Sequence, residues 1–359
     1  MTYSFSLMQD LPDVLQGTEF LWDSLRGQRL FLTGGTGLIG LWLLESLSWA
    51  NEQLDLNLEV TVLTRSPQSF AATHPHLAGH RAIRLHWGDV RDFEFPKEKF
   101  AWIIHGASPA NIRVHREEPI ATAENIIEGT KRTLALARRS ETRRFLLISS
   151  SAVYGPQPWE LERIPEHFPW APDSMNPESA FGISKRMAET WAAAWSRDCD
   201  MELVVARCFS FIGPGLDLTA HYETGNYIRD AMVGGPIRVA GDGRMVSGYL
   251  YGSDVAIWLL TMLVQGRTGQ AYNVGSDQTI TLMELAQQVA HHASPPPPVW
   301  VEKRPKPGKP PMRHVPDVTK ARQELGLIQR VTLKRAIEKT IAWHQKRVGG
   351  IQNHDTNEP

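Results

Sequence analysis

The chain has 359 residues, of which 42% are hydrophobic and 21% charged, a composition typical of soluble globular proteins. Its formal net charge of -1 excludes the strongly basic surface with which proteins recruit nucleic acid or acidic membranes. The two cysteines, Cys199 and Cys208, lack metal or redox spacing, so we expect no metal and a reduced, cytoplasmic protein. The N-terminus does not resemble a secretion signal, and no apolar run is long enough to span a bilayer, so no membrane partner is expected.

The first strong pattern in chain order is the stretch from Leu30 to Gly40, which follows a predicted helical lead-in over residues 1–27. A short apolar run reaches three glycines spaced three apart, and leucines at helical spacing follow them. This pattern predicts a strand, a tight turn and a helix whose positive end binds the pyrophosphate of a dinucleotide. The residues predicted to contact the cofactor here are Gly34, Thr36, Gly37, Leu38 and Ile39, with Gly40 allowing the helix to pack closely on the strand.

A second strand is predicted over residues 58–64, and Arg65 follows it. In dinucleotide-binding folds, an acidic residue at this strand end binds the adenosine ribose diol, whereas a basic residue accepts a 2′-phosphate. The cofactor is therefore predicted to be NAD or NADP, and Arg65 favours NADP.

The region after this strand contains two more strand ends with small or polar residues. Residues 66–80 are interpreted as a polar loop whose three histidines are solvated and bind no metal. Strands are predicted over residues 83–86 and 101–105. Because carboxyl ends of parallel strands bind ligands in open α/β sheets, the residues that follow them are predicted cofactor contacts, namely Asp89, Val90, Ala107 and Ser108.

The remaining alternation of strands and helices predicts a doubly wound, mostly parallel α/β sheet with a smaller C-terminal lobe. Further elements are expected at residues 119–140 (helix), 145–148 (strand), from about 178 (helix) and 203–207 (strand). The predicted organisation is a lead-in (1–27), a dinucleotide-binding domain (28–212, with 249–275 returning to it), a substrate-binding lobe (213–248 and 276–345) and a flexible tail (346–359).

Four features in one order carry a resemblance: the glycine turn, Gly88-Asp89-Val90, a serine cluster before Val-Tyr-Gly, and a helix with Phe181-Gly-Ile-Ser-Lys185. Over residues 28–345 the chain resembles the extended short-chain dehydrogenases/reductases, which include nucleotide-sugar epimerases, dehydratases and reductases. The resemblance implies that Ser150 bonds the reacting sugar hydroxyl. It also implies that Lys185 holds the nicotinamide ribose and lowers the pKa of a neighbouring phenol.

The family places a catalytic tyrosine where this chain has Phe181, which carries no proton to exchange. Three explanations compete. The sequence is an inactive Tyr-to-Phe form that traps substrate, which we favour; or it is a natural variant in which another group, such as a water held by Ser150 and Lys185, moves the proton. The third explanation is a protein that binds nucleotide and sugar without redox chemistry.

The residues after Ser150 narrow the implied reaction. The family's 4,6-dehydratases carry an Asp-Glu pair where this chain has Ser151 and Ala152, and decarboxylation uses a glutamate at the same place. The resemblance therefore favours hydride transfer at one sugar carbon, as in C4 epimerases and 4-keto reductases. A dehydratase with atypical acid and base residues and a non-catalytic binding protein remain alternatives.

The resemblance also implies a nucleotide-diphosphate sugar as substrate. The predicted substrate-binding residues are Ser150, Ser151, Ser210, Asn226 and Arg313. Ser210 stands where an asparagine is usual, and Ser247 where a phosphate-binding arginine is usual, with Arg244 as a candidate substitute. A homodimer paired through the helices near 120–140 and 178–197 is implied as well.

Overall fold

The computed structural model describes residues 7–109, 111–220 and 222–352, with side chains described up to residue 346. The strands are β1 (Arg29–Thr33), β2 (Glu59–Thr64), β3 (Ile83–Trp87), β4 (Trp102–His105), β5 (Arg144–Ser150), β6 (Glu202–Cys208), β7 (Ser210–Ile212), β8 (Ile237–Val239), β9 (Val246–Ser247), β10 (Tyr249–Tyr251), β11 (Gln270–Val274), β12 (Ile280–Thr281), β13 (Val299–Val301) and β14 (Arg313–His314). The α-helices are α1 (Leu11–Gly17), α2 (Trp22–Leu25), α3 (Leu38–Gln53), α4 (Pro67–Thr73), α5 (Pro75–Ala78), α6 (Ile112–Glu117), α7 (Pro119–Ser140), α8 (Ala180–Cys199), α9 (Glu223–Met232), α10 (Gly252–Gln265), α11 (Leu282–Ala290), α12 (Thr319–Leu325) and α13 (Leu333–Gln352).

A parallel sheet of seven strands in the described part of the chain has the order β11-β6-β5-β4-β1-β2-β3. The strand order reverses at β1, which pairs with β2 on one side and β4 on the other. Ligands of such sheets bind beyond the carboxyl ends of the strands at this reversal. The predicted doubly wound, mostly parallel sheet is confirmed, and each of the six predicted strands overlaps a strand of this sheet.

Apolar side chains cover both faces of the sheet. Along β1, Leu30 and Leu32 belong to one buried cluster and Phe31 to the other, because successive side chains of a strand point to opposite faces. Helices α3 and α10 pack on the first face, and helices α7 and α8 contribute Ile126 and Ala188 to the second. The sheet is thus held between two helical layers, and its carboxyl edge is free to form a site.

The C-terminal half alternates between the sheet and a smaller lobe. Strands β8 and β13 pair in parallel beside helices α9 and α11, and β9 pairs with β12 and β14. Between these segments, β10 pairs with β7 and β11 joins the main sheet beside β6. Helix α13 continues to Gln352, into the segment predicted as a flexible tail. Residues 353–359 of that tail and residues 1–6 of the lead-in lie outside the described residues.

The interpretation of residues 66–80 as a solvated polar loop is wrong. The segment forms helices α4 and α5, each with a proline in its first turn, where the missing N–H costs no hydrogen bond. His80 is buried and lies 3.1 Å from Glu52, while His76 lies 2.7 Å from Glu45. These partners are distant in sequence, which is why the local pattern hid them.

Among the described residues, no group of His, Cys, Asp and Glu side chains has the arrangement of a metal site. No helix in the described ranges is both long and apolar enough to cross a membrane.

Candidate active site

The turn between β1 and α3 is shaped by glycines that leave no room for a side chain. Gly34 has φ +77°, and a Cβ atom there would lie 2.6 Å from the backbone carbonyl carbon of Gly106. A Cβ atom on Gly40 would lie 2.3 Å from the carbonyl oxygen of Gly34. Both clashes involve backbone atoms, so only glycine fits. At Gly37 the nearest atom to a Cβ would be 3.7 Å away, so that side of the turn is open.

Helix α3 begins directly at this turn, and no side chain caps its first N–H groups. Those groups have no partner within the helix and form the positive end of its dipole. Together they fit the diphosphate of a dinucleotide. Of the other predicted contacts on the turn, Thr36 is exposed, and Leu38 and Ile39 are half-buried.

The end of β4 lies against the same turn. The backbone N–H groups of Gly106 and Ala107 donate hydrogen bonds to the hydroxyl of Thr33 at 3.2 and 3.1 Å. This bonding brings Ala107 and Ser108 to the end of β1, where a cofactor on the glycine turn would pass.

Asp89 and Arg65 lie at the ends of β3 and β2. Arg91 forms an ion pair with Asp89 at 2.8 Å, and its hydrogen bond is the main reason why the pKa of the Asp89 carboxyl is lowered. The charge of Arg65 lowers that pKa further, so the two side chains share one region. The Arg65 side chain is exposed and has no partner among the described residues. Val90 is instead a buried residue of the core, where Gly129 makes room for it.

Ser150 ends β5 and is followed by a short 3-10 turn, Ser151–Tyr154. Its Oγ accepts a hydrogen bond from the Ala152 N–H at 3.2 Å, which leaves the hydroxyl hydrogen available for another oxygen. Helix α8 touches this turn because residue 182 is glycine. A Cβ atom on Gly182 would lie 2.4 Å from the Ala152 carbonyl oxygen. The close approach brings residues 181 and 185 of the helix to Ser150.

Lys185 is buried under the end of β5, where its Nζ donates a hydrogen bond to the Ile148 carbonyl at 3.0 Å. Burial lowers the pKa of Lys185 to about 8, against smaller opposing effects of Cys208 and Glu189. The ammonium therefore remains charged at pH 7. Burial also raises the pKa of the Cys208 thiol to about 12, so this cysteine stays protonated and is not a nucleophile.

Phe181 lies one helical turn before Lys185, and the lysine Nζ is 5.8 Å from the centre of the ring. The imidazole of His115 stacks on Phe181 with ring centres 4.1 Å apart and an angle of 12° between the planes. Phe181 and Lys185 thus lie on the part of helix α8 that packs against the turn after Ser150, and His115 lies against Phe181. The roles predicted for Ser150, Phe181 and Lys185 stay predictions.

Ser151, a predicted substrate residue, is buried and already has a partner. Its Oγ lies 2.8 Å from Nε2 of His314, whose ring packs 5.0 Å from that of Phe209. Burial lowers the pKa of His314 to about 4, so the imidazole is neutral at pH 7. The Ser151 hydroxyl is thus already engaged by a histidine of the smaller lobe.

A connected set of polar side chains packs against the ends of β5 and β6 and supports the site. Glu189 accepts a hydrogen bond from Ser149 at 2.6 Å and forms an ion pair with Arg207 at 2.7 Å. Arg207 donates to the hydroxyl of Tyr154 at 3.0 Å, and that hydroxyl donates to Asn273 at 2.7 Å. Burial raises the pKa of Tyr154 to about 12. Tyr154 is therefore committed to structure and does not replace the missing phenol.

The predicted sugar-nucleotide residues occupy the smaller lobe. Asn226, on helix α9, accepts a hydrogen bond from Arg229 at 3.1 Å. Arg313, on β14, is half-buried and has no partner among the described residues. Ser210 is half-buried at the start of β7.

Ser247, where the resemblance implies an arginine, and the candidate substitute Arg244 both have partners within the protein. Ser247 is buried, and its hydroxyl donates to the His314 carbonyl at 3.4 Å. Arg244 is held by Asp242 at 2.9 Å and by the carbonyl of Lys309 at 3.0 Å. Those two contacts already engage its guanidinium.

Sequence reasoning missed His115 and His314. Rules based on the spacing of residues along the chain apply to neither histidine, because each meets its partner only through the fold. The one local signal is the position of His314 directly after Arg313, and His115 carries none.

The parallel sheet, the glycine turn and the Ser150–Lys185 pair define a dinucleotide-binding α/β protein of the extended short-chain dehydrogenase/reductase type. The sequence profile described as the NAD dependent epimerase/dehydratase family matches residues 30–275, so the chain belongs to that family.

Similar proteins agree with this assignment. The chain is 27% identical to UDP-glucuronic acid decarboxylase 1 of Arabidopsis thaliana over 323 residues, which are 89% of this chain and 70% of that protein. It is 30% identical over 258 residues to decarboxylase 4 of the same plant, covering 71% of this chain and 56% of the relative.

Solved structures share the fold. UDP-glucose 4-epimerase of Thermus thermophilus, in complex with NAD, has a TM-score of 0.71 at 25% identity and covers 88% of this chain and 99% of that one. The enzyme WbmF of Bordetella bronchiseptica, in complex with NADH, has a TM-score of 0.74 at 19% identity, covering 92% and 96%. The family's cofactor is NAD, and the glycine turn of this chain fits it.

Proposed function

We propose that the protein transfers hydride at a single carbon of a nucleotide-diphosphate sugar, as a C4 epimerase or a 4-keto reductase does. One observation carries the proposal. Helix α8 sets Lys185 against the end of β5, where the free hydroxyl hydrogen of Ser150 can reach a sugar oxygen, and positions 151 and 152 carry no carboxylate.

Each residue has a role that its contacts support. The Ser150 hydroxyl donates to the reacting oxygen of the sugar and orients it. The Lys185 ammonium, fixed by the Ile148 carbonyl, holds the nicotinamide ribose and makes the surroundings of the reacting oxygen more positive. The glycine turn holds the diphosphate. Bound nicotinamide supplies the hydride chemistry.

The named relatives suggest a UDP-sugar as the first substrate to test, because two of the similar proteins are UDP-glucuronic acid decarboxylases. The family resemblance implies that dehydration uses an Asp-Glu pair, and decarboxylation a glutamate, where this chain has Ser151 and Ala152. The methyl group there can neither donate nor accept a proton, which favours plain hydride transfer.

The proposal is tested by Phe181→Tyr, which restores the phenol expected beside Lys185. We expect turnover to rise at least ~100-fold on the correct sugar, because a positioned acid/base group contributes ~10²- to 10⁴-fold. The measurement is nicotinamide absorbance and product analysis across a panel of UDP- and dTDP-sugars. Phe168→Tyr, which adds a hydroxyl elsewhere in the molecule, is the control. Absence of turnover across the panel in both the unsubstituted protein and the Phe181→Tyr variant would contradict the redox assignment.

A second candidate is a binding or regulatory protein that retains the cofactor site without catalysis. The stacking of Phe181, which has no hydroxyl, and the small Ser247 favour it. A bound cofactor that never changes its redox state with any sugar nucleotide, in either the unsubstituted protein or the Phe181→Tyr variant, would select this candidate.

Two finer points belong to the proposal. Arg65, exposed and without a partner among the described residues, supports a preference for NADP. The exposed apolar side chains of Ile120 on α7 and Met187 on α8 support a homodimer that pairs through these helices.

A further inference from the structure

His115 differs from the other buried histidine of the sheet edge in how its ring nitrogens are used. Both nitrogens of His105 are bonded, Nδ1 to Thr33 at 2.7 Å and Nε2 to Thr130 at 3.1 Å. His115 has one bond, from Nε2 to the Pro109 carbonyl at 2.8 Å. A carbonyl can only accept, so Nε2 carries the hydrogen and Nδ1 of the neutral ring carries a lone pair. That nitrogen has no partner among the described residues.

The His115 ring also lies directly against the residue that stands at the implied tyrosine position. It stacks on Phe181 at 4.1 Å, and it is only 8% exposed. A tyrosine hydroxyl would extend from the edge of the Phe181 ring, so an imidazole stacked on that ring is a base close to the missing group. The bond to Pro109 fixes the ring against the segment that follows β4.

We propose that His115 is a catalytic residue that accepts the substrate hydroxyl proton on Nδ1, in place of the tyrosine that position 181 lacks. This inference rests on the proposed function. In the oxidising direction, the sugar C–H bond breaks and its electron pair leaves as hydride to the oxidised nicotinamide. The hydroxyl O–H bond breaks, its proton goes to Nδ1, and the carbon becomes a ketone. Reduction runs the same transfers backwards.

The electrostatic surroundings keep this ring neutral and ready to accept. Burial lowers the pKa of His115 below its ordinary value, the Pro109 carbonyl opposes that shift, and the charge of Lys185 on helix α8 adds to it. On its own helix, Arg113 and Glu117 pair with each other at 2.7 Å and are exposed, as is Arg116. On the neighbouring elements, Glu118 before α7 and Glu178 before α8 are exposed as well.

A first test needs no turnover. The pKa of His115 is measured by NMR of histidine-labelled protein, assigned with His115→Gln, in the presence of NAD with either UDP-glucose or UDP. A sugar hydroxyl that donates to Nδ1 stabilises the neutral ring, so UDP-glucose is expected to lower the pKa further while UDP is not. Equal effects of the two bound ligands would overturn the proposal. If neither binds, the pair is replaced by the panel member that does; binding of no UDP- or dTDP-sugar would overturn the proposed function and this inference with it.

A second test compares two backgrounds, the unsubstituted protein and the Phe181→Tyr variant. In the unsubstituted protein, His115→Phe keeps an aromatic ring on residue 181 but removes the base, and we expect turnover to fall at least ~10-fold. In the Phe181→Tyr background, the same change is expected to cost less than ~3-fold, because the phenol then takes the proton.

A further variant, His115→Gln, keeps an N–H for Pro109 and guards against a folding defect. Equal losses in both backgrounds would assign His115 to structure and leave the proposed function standing. Absence of turnover in both backgrounds while His115 is intact would remove the proposed function itself.

Discussion

The cofactor end and the substrate end of this site obey different constraints. At the glycine turn, a Cβ on Gly34 or Gly40 would overlap backbone atoms, so the residue type is dictated by space. At the substrate end, Phe181 and Ala152 stand where the family resemblance implies acid/base groups, and helix α8 packs on the turn through Gly182. A side chain at Gly34 or Gly40 is therefore expected to disturb the fold, whereas exchanges at positions 152 and 181 are expected to alter the chemistry and leave the fold intact.

The polar side chains that support the site, Glu189, Arg207 and Tyr154, resemble the glycine turn in that their contacts hold the fold together. Arg207 links Glu189, through an ion pair, to the hydroxyl of Tyr154, through a hydrogen bond. A buried ion pair is costly to break, because removing one partner leaves the other charge unpaired. We therefore expect this set of side chains to be a rigid support for the candidate site.

The largest expected effect comes from Gly40→Ala. The new methyl group would overlap the Gly34 carbonyl oxygen, whose distance to a Cβ would be 2.3 Å, and the Cα of Gly35 at 2.4 Å. Overpacking of this kind costs about 3 kcal/mol or more, so NAD affinity should fall at least ~100-fold or folding should fail. Calorimetric NAD binding and a thermal melt measure both.

Gly37→Ala is the matched control for that change. Its methyl group would have 3.7 Å of clearance from the nearest atom, and the residue has ordinary extended dihedrals, so the melting temperature should stay the same. NAD binding should still weaken, because the methyl group enters the open side of the turn. Equal destabilisation by both variants would contradict the distinction between space reserved for packing and space reserved for a ligand.

Glu189→Gln is expected to lower the free energy of unfolding by about 3 kcal/mol, because Arg207 loses its buried counter-charge. Urea denaturation provides the measurement. The control is Glu128→Gln, which breaks an exposed ion pair with Lys131 at 3.1 Å and should cost less than about 0.5 kcal/mol. Similar losses in the two variants would show that the set of polar side chains under Ser149 is not a special support.

Lys185→Met is expected to change how stability depends on pH. The pKa of Lys185 is about 8 in the folded chain against an ordinary 10.5, so the unfolded chain binds more protons between these values. Stability should therefore rise with pH in this window, and from pH 7 to 9.5 Lys185 should contribute about 2 kcal/mol. Below pH 8 the lysine is charged in both states and the gain is absent.

In the Lys185→Met variant, the free energy of unfolding should no longer show this rise between pH 7 and 9.5. Urea denaturation at several pH values measures the difference. Lys99→Met, at an exposed site, is the control and should keep the slope. If both variants retain the same pH dependence, Lys185 is not the buried charge that the site requires.

The sequence allowed the sheet and the glycine turn to be predicted because their signals are local. Apolar runs and glycine spacing lie within a few residues, and the turn from Leu30 to Gly40 folds as strand, turn and helix. The organisation into a dinucleotide-binding domain and a lobe, and the roles of individual site residues, stay predictions.

What the sequence could not reveal depends on contacts across the fold. His76 and His80 meet carboxylates of helix α3, and His115 meets a ring in helix α8, with no pattern near either partner. The prolines at 67 and 75 favour a loop by composition, although a proline in the first turn is compatible with a helix. At these positions, contacts between residues distant in sequence, rather than residue type, determine the local structure.

The smallest expected effect concerns the choice of cofactor. Arg65 follows β2, is exposed, and acts on the pKa of Asp89, so it lies at the end of the site where a dinucleotide's adenosine would bind. A guanidinium there pairs with a 2′-phosphate through charge-assisted hydrogen bonds. Arg65→Ala should weaken NADPH binding about 10-fold, a change of about 1.4 kcal/mol, and should affect NADH less.

Fluorescence titration of both reduced dinucleotides measures this preference, and Arg81→Ala, at an exposed position beside another strand, is the control. A parallel loss for NADPH and NADH would mean that Arg65 attracts any dinucleotide through its charge alone. Binding of NADH but not NADPH by the unsubstituted protein would remove the NADP preference. In that case the adenosine contacts, like the glycine turn, would fit the NAD cofactor of the family. The departures from the family pattern would then lie only where the substrate binds.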